Sequence, residues 1–464
     1  MQNHRYTFKL LAIMGLVIML LIPQASLMGL IGERSGWRSE AYSSIEQSWP
    51  GAQTLAGPIL GVPYRLTYPI KEMITEKDGT EREIIKTAEV QELLYLIPKQ
   101  LEIQSKLDSE MRYRGIYAVP VYGSQLQVSG VFDTQPLQDL LMEHKDKQIT
   151  LDLPQLSVLV RDQRGIASPP VLTWDTQKLA FKPGSNLPNT TSGMHVKLPA
   201  LGLDGAKQLA FSFDLELRGM SAFSFALLSE NSDVRLVSDW AHPKFSGELL
   251  PEEREVNGQG FTAHWRASSF SYNVSGALQQ CRQGQCDALL GRAVGFELLQ
   301  PVDVYQQSER SIKYAVLFIV LSFVVLVMFE LLKKLRVHPI QYALVGLALT
   351  VFYLLLISLS EHISFFWAYT VAALAGTGLL TFYFGAILHS RRLGLFLGGG
   401  LLVLYGLLYV ILQAEDKALL MGSLLIFGLL AALMLLTRHL DWYALTASAP
   451  APKAVAVAPV MEQV

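Results

Sequence analysis

Two short stretches carry the residue types best suited to chemistry: Asp239-Trp240-Ala241-His242-Pro243 and Ala263-His264-Trp265, with Glu252, Glu253 and Glu255 between them. Two imidazoles and a carboxylate would make a zinc-type ligand set. Paired indoles would give a platform for a glycan or another ligand. A plainer task suits the same residues, in which Trp and His cap a sheet and satisfy each other's hydrogen bonds. The plainer task is the expectation, with Asp239, Trp240, His242, His264 and Trp265 kept as the candidate binding surface. No catalytic residue, metal or cofactor is assigned.

Glu361-His362 closes an apolar run and is the acid–histidine pair nearest a membrane boundary. Acids inside a bilayer mark proton or ion routes, whereas at the interface a polar turn costs little. The pair is therefore read as an interfacial marker. Cys281 and Cys286 enclose Arg282-Gln283-Gly284-Gln285, a loop flexible enough for the sulfurs to meet. A disulfide is expected if the loop is exported to a compartment that oxidises thiols. The sets needed for serine acyl-enzyme chemistry are missing, as are His-Glu-x-x-His and a phosphate-binding Gly-Lys-Ser/Thr loop. Gly258-Gln259-Gly260 begins a nucleotide fingerprint without the helix and acid that would complete it. A non-enzymatic protein is expected.

The elements that position these residues follow from where charge is absent. Between Ile340 and Leu359 no residue is charged. About 20 helical residues cover roughly 30 Å, the thickness of the hydrocarbon core. Similar runs fall at about 314–332, 363–388, 393–413 and 417–437, and a first lies at Leu10–Ile22, continuing to Ile31. A cleaved signal peptide would share that N-terminal pattern, but Pro23 occupies the −3 position of the plausible cleavage site, so an uncleaved anchor is expected.

Loops rich in Lys and Arg (Lys333, Lys334 and Arg336; Arg391-Arg392; Arg438) alternate with poor ones, and the rich ones share a side with Arg5 and Lys9. By the positive-inside rule both termini are cytoplasmic and the intervening stretch is exported. Residues 24–313 carry 28 Lys/Arg against 34 Asp/Glu, while the rest carry 10 against 6. An acidic exported domain on a membrane unit with a basic inner rim fits that split, and the overall net charge of −2 argues against a nucleic-acid partner.

Residues 32–313 hold no spanning run. Their recurrent pattern is alternation, clearest in Phe211–Leu217, with similar pieces at Leu93–Ile97, Gln125–Phe132, Leu156–Val160 and Phe223–Leu227. Turn signals at Asp78-Gly79, Pro169-Pro170, Pro183-Gly184, Gly202–Gly205 and Asn257-Gly258 separate them. Helical pattern is confined to Glu33–Ser48 and Pro136–Lys145. The expected fold is an α-helical transmembrane bundle of six spans, with a large β-rich domain inserted between spans 1 and 2. Its parts are a cytoplasmic tip and first helix (1–31), the β-rich domain (32–313), a five-helix membrane domain (314–443) and a disordered tail (444–464). Gly394-x-x-x-Gly398, followed by Gly399-Gly400, and Ala372-x-x-x-Gly376 offer small faces for close helix packing within the chain.

Several segments together resemble the CreD family of bacterial inner-membrane proteins. They include Gly57-Pro58-Ile59-Leu60-Gly61-Val62-Pro63, Arg161-Asp162-Gln163-Arg164-Gly165-Ile166, the Asp239–Pro243 and Ala263–Trp265 stretches, His338-Pro339-Ile340-Gln341-Tyr342, Leu359-Ser360-Glu361-His362 and Asp441-Trp442-Tyr443. No one of them is diagnostic, but their order spans nearly the whole chain. The Cys281–Cys286 loop stands outside that pattern. The resemblance implies a Gram-negative inner membrane, so that the exported domain is periplasmic. It also implies a role in cell-envelope integrity, expression under a two-component stress regulator, and links to β-lactam and colicin response; it supplies no catalytic residue. The favoured function is envelope maintenance through binding of an envelope protein or peptidoglycan-related partner, with the lipid bilayer as solvent. The alternative is a transporter or permease accessory.

Overall fold

A computed structural model describes residues 3–75, 81–202, 205–271, 273–291, 293–300, 304–332, 337–413 and 418–438. The basic turn at 333–336, the charged loop at 415–417, Asp78-Gly79, Asp441-Trp442-Tyr443 and the tail 444–464 lie outside them. The chain divides into two compact units, residues 38–301 and residues 1–37 with 302–464.

Helix α1 (Asn3–Ser48) begins the chain and its last turns belong to the first of these units. Four long strands follow: β1 (Gln53–Thr75), β2 (Glu81–Leu96), β3 (Pro98–Arg114) and β4 (Tyr117–Asp133). After α2 (Gln135–Glu143) come β5 (Gln148–Leu151), β6 (Gln155–Val160), β7 (Val171–Trp174), β8 (Gln177–Ala180), β9 (Lys182–Pro183) and β10 (Met194–Lys197). The rest of the unit holds β11 (Gln208–Met220), β12 (Ala222–Ala226), β13 (Asn231–Ser238), β14 (Pro243–Gly247), β15 (Glu253–Asn257), β16 (Gly260–Ser268), α3 (Val274–Arg282), α4 (Ala288–Gly291) and β17 (Val294–Leu298).

The strands form two sheets. One has the order β14-β17-β12-β1-β6-β10-β9, with β2 and β5 also paired to β1; the other runs β15-β16-β13-β3-β4-β11-β7-β8. Early strands meet late ones, since β1 pairs in parallel with β12 and β3 in parallel with β13. The alternation read from Phe211–Leu217 is the observed burial of β11, where Phe211, Phe213, Leu215 and Leu217 are buried and Ser212, Asp214 and Glu216 are exposed. A period of two sends one set into the core and the other to solvent. Phe132, Phe223, Phe261, Trp265 and Phe296 fill the core, with Phe261 and Phe296 meeting edge-on at 4.8 Å.

The first half of β1 breaks the alternation, because Leu55–Val62 is buried throughout. A central strand covered on both faces reads as a continuous apolar run. Within it lies a register shift between Ala56 and Ile59, holding a cis Gly57–Pro58 bond and Gly57 at φ +106°. A side chain at Gly57 would adopt a left-handed backbone beside the Ser157 carbonyl, so glycine is required there. Helices α3 and α4 carry no clear apolar period in the sequence. They bury Val274, Ala277 and Leu289, together with Cys281 and Cys286, which are joined in a disulfide.

The helical unit contains the first part of α1, then α5 (Val304–Lys313), α6 (Ala315–Leu332), α7 (Pro339–Ser360), α8 (Phe365–Ile387), α9 (Arg391–Gln413) and α10 (Ala418–Thr437). Residues Glu33–Ser48 are not a separate helix after the first span: α1 is continuous, with Pro23 inside it. Helix α5 belongs to this unit, although its polar run Gln306–Arg310 reads from sequence as the end of the β-rich domain. His338-Pro339 starts α7, the His338 ring accepting from the Ile340 N–H at 3.3 Å while the Gln341 side chain accepts from the His338 N–H at 2.9 Å. Proline at the first position and a reciprocal cap explain the abrupt helix start.

Along α7, Tyr342, Val345, Leu349, Phe352 and Leu356 are buried, while the opposite face, Ile340, Leu344, Leu347, Val351 and Leu354, is equally apolar yet exposed. A helix apolar on both faces is built for lipid. Helices α1, α7, α8 and α9 are long and apolar enough to cross a bilayer, and α5 with α6 makes a fifth such element if counted as one span bent by 42°. The small face of α9 is used within the chain. A Cβ at Gly394 would strike Gly385 of α8 and one at Gly398 would strike Thr381, whereas Gly399 and Gly400 face open space.

Candidate functional site

The sequence-level cluster divides three ways. Adjacent residues of a strand point to opposite faces, so Trp265 is buried in the core at 1% exposure while His264 sits on the outer face of the second sheet. Asp239, Trp240 and His242 form the corner between β13 and β14. There the Asp239 carboxylate accepts from the Ser109 N–H at 2.9 Å and hydroxyl at 2.7 Å, pinning the corner to β3. The Trp240 indole donates to the His242 carbonyl at 3.0 Å and its ring packs partly on the core. His242 is exposed. His264 pairs with Arg235, four residues before Asp239, so the two histidine stretches lie about 13 Å apart along the strand. The corner is a sheet cap, and the histidines do not converge.

His264 instead organises a charged strap across β15, β16 and β13. Its Nε2 lies 3.0 Å from both Asp233 carboxylate oxygens, and its Nδ1 faces Glu253 at 3.5 Å. Arg266 donates to Glu253 at 2.9 Å and approaches Glu252 at 3.6 Å. The hydrogen bond to His264, with the neighbouring Arg266 charge, holds the Glu253 carboxyl below the usual range. The two carboxylates sit on opposite ring nitrogens, so they cannot close on one ion together with the imidazole. No group of three His, Cys, Asp or Glu side chains is placed to hold a metal ion among the described residues. Sequence reading missed Asp233 because only strand register brings it to His264, whereas Arg266, two residues on along β16, shares the His264 face by alternation and was legible in the sequence.

Beside the strap the outer face dips into an open groove of about 940 Å³. Its lining mixes small polar residues, Ser129, Ser212 and Ser268, with the apolar Val131, Ala210 and Ala267, and includes Asp233 and Arg266. A smaller groove of about 520 Å³ lies farther along the same sheet, beside Trp49 and Gln125. Serine hydroxyls and paired ions can exchange hydrogen bonds with a polyhydroxylic or peptide ligand. No side chain here is placed as an activated nucleophile.

The Arg161–Ile166 segment is a second built feature. Asp162 accepts from the Gly51 N–H at 3.1 Å and is gripped by the Arg164 guanidinium. Arg164 also donates to the Glu46 and Gln47 carbonyls, both at 3.1 Å, and so caps the end of α1. The Arg164 hydrogen bond holds the Asp162 carboxyl below its ordinary range.

In the helical unit Glu361 and His362 separate. Glu361 faces Arg34 at 3.5 Å and accepts from the Tyr305 hydroxyl at 3.3 Å, while His362 is exposed. A second ion pair, unrecognised in the sequence, joins Lys9 to Glu330. Glu330 also accepts from the Tyr342 hydroxyl at 2.8 Å, and Lys9 from its side donates to the Val337 carbonyl at 2.5 Å. Its partners are 321 residues apart, beyond any local spacing rule.

Apolar helices joined to a two-sheet unit that carries an open surface groove define a multi-helix membrane protein. Its sequence matches the profile of the family described as inner membrane protein CreD over residues 5–443. It is 34% identical to the inner membrane protein CreD of Escherichia coli (strain K12), over 94% of each chain. The chain belongs to the CreD family. Among solved structures, an M1 zinc metallopeptidase from Deinococcus radiodurans aligns over 37% of this chain and 38% of its own, at 9% identity and a TM-score of 0.17, which carries no argument about function.

Proposed function

We propose that the chain is a non-enzymatic inner-membrane protein that maintains envelope integrity by binding an envelope partner in the groove on the second sheet. The observation that carries this reading is the groove itself, an open trough of about 940 Å³ whose lining includes serine hydroxyls together with Asp233, Glu252 and Arg266. Six spans, cytoplasmic termini and a periplasmic β-rich unit complete the reading, and the Lys/Arg alternation of the loops supports them. Regulation by a two-component system and a link to β-lactam and colicin response are the physiological expectations attached to it.

Ser212 is exposed on the groove floor, so Ser212→Trp fills the trough without entering the core. The variant is expected to accumulate in the membrane at wild-type level and to fail to complement the envelope phenotype of a deletion strain. Full complementation would refute the groove as the working surface. Topology is checked by cysteine labelling at Asn3, Asn231, Ser390 and Ala454 with an impermeant reagent in intact spheroplasts, where only position 231 should react.

A further inference from the structure

Polar side chains in the helical unit fall into two groups. In the first, the helix supplies its own partner: Ser322 donates to the Phe318 carbonyl at 2.8 Å, Thr350 to Gly346 at 3.0 Å, Ser360 to Ile357 at 2.9 Å and Thr381 to Thr377 at 2.7 Å. Such back-bonding is the ordinary solution for a hydroxyl in a transmembrane helix. In the second group, buried atoms have no hydrogen-bond partner among the described residues: Gln24 Nε2, Gln307 Oε1, Ser308 Oγ, Ser311 Oγ, Tyr353 OH, Thr377 Oγ1 and Tyr405 OH. Tyr353, Ser308, Ser311 and Tyr405 are at most 1% exposed. Leaving so many polar atoms unbonded away from water is costly, and buried orphans of this kind call for water or a polar ligand.

These atoms are not scattered. Tyr353 lies eight residues, about 12 Å, from Glu361 along α7, and Tyr405 the same distance from Gln413 at the end of α9. Gln24 lies about 15 Å along α1 from Arg34, the partner of Glu361. Gln307, Ser308 and Ser311 lie on α5, whose Tyr305 bonds Glu361, so six of the seven occupy the part of the unit nearer the Arg34–Glu361 pair, with Thr377 close to the middle of α8. At the opposite end Lys9, Glu330 and Tyr342 satisfy one another. Helix α5 packs against α7 and α9, and its buried face is Tyr305, Gln307, Ser308, Ser311 and Ile312, mostly polar where a bundle helix would be apolar. It meets α6 at a 42° bend around Tyr314.

We infer that α5 is a lid over a hydroxyl-lined chamber in the half of the helical unit next to Glu361, and that it swings about Tyr314 to admit water to Tyr353 and Tyr405. The polar face of α5 accompanies the water inward, and the chamber ends before the Lys9–Glu330–Tyr342 cluster. It is thus a hydrated pocket with one mouth, distinct from the sheet groove.

Hydroxyl-radical footprinting of the full chain in lipid nanodiscs tests this, because radicals generated from bound water mark only aromatic rings that water reaches. Phe323, fully buried on α6 and packed edge-on to Tyr342 at 5.7 Å, is the dry reference. Tyr353 and Tyr405 are expected to label on the order of tenfold faster than Phe323. A variant with Gln307→Leu, Ser308→Ala and Ser311→Ala should bring both tyrosines down to the Phe323 rate. Tyrosine labelling at the Phe323 rate in the unaltered chain would overturn the chamber. Labelling left unchanged by the triple variant, with the protein still monodisperse in its nanodisc, would overturn the role of α5.

Discussion

The two units place charge beside apolar packing in opposite ways. In the β-rich unit, ions sit one residue from fully buried neighbours, as Arg266 does beside Trp265, because a strand sorts its side chains with a period of two. Arg65 with Asp152, Lys244 with Glu297 and Arg266 with Glu253 all lie on outer strand faces. Helix α7 has no such polar face, and the two ion pairs that join separate helices, Lys9–Glu330 and Arg34–Glu361, place their acids at helix ends, Glu330 in the last turn of α6 and Glu361 at the C-cap of α7. Outer-face ions in the first unit are therefore available for recognition. In the second unit, Lys9–Glu330 and Arg34–Glu361 each clamp one helix to another.

The largest effect should come from breaking the strand alternation on its inner side. Trp265→Ala is expected to cost about 3–5 kcal/mol. His264→Ala, one residue away on the outer face, should cost no more than about 1.5 kcal/mol, since Asp233 keeps Arg235 at 3.3 Å. Denaturant unfolding of the two variants checks the ratio, and equal losses would erase the distinction between faces.

Helix packing gives the next contrast. Gly398→Leu drives a side chain into Thr381 and should cost about 1–3 kcal/mol, while Gly399→Leu, which faces open space, should be close to neutral. Thermal unfolding monitored by size-exclusion fluorescence reads both.

A pH series sharpens the role of Asp162. Its carboxyl is held below the ordinary value in the folded chain, so its contribution is present above the unfolded carboxylate pKa, about 3.9, and disappears as pH falls through the folded value. Asp162→Asn should therefore melt lower than wild type at neutral pH, and the gap should close in acid. A gap independent of pH would mean that the carboxylate charge does not matter there.

The smallest effect concerns Cys281–Cys286. A short loop removes little chain entropy, and reduction should cost no more than about 2 kcal/mol. Alkylation before lysis should find no free thiol.

What was legible in the sequence follows the same division. Apolar runs announced α7, α8 and α9 because lipid tolerates no charge along a span, and the alternation of Phe211–Leu217 announced β11 because its partner faces differ so sharply. The pairing of Asp233 with His264 was hidden, since register is set by the whole sheet. Helix α5 was hidden because its polar residues are buried against α7 and α9 rather than against water. The tryptophans illustrate the limit: Trp240 and Trp265 read as one aromatic cluster, yet one caps a corner and the other fills the core.

The central claim is that the outer-face groove is the surface that meets a partner. A photo-crosslinking amino acid at Asn231, an exposed residue of the groove lining, in full-length protein that complements the deletion strain, tests it in living cells. The account predicts discrete adducts from position 231, identified by mass spectrometry, and none from Lys197, which is exposed on the other sheet. Adducts of equal yield from both positions, or none from position 231, would contradict it.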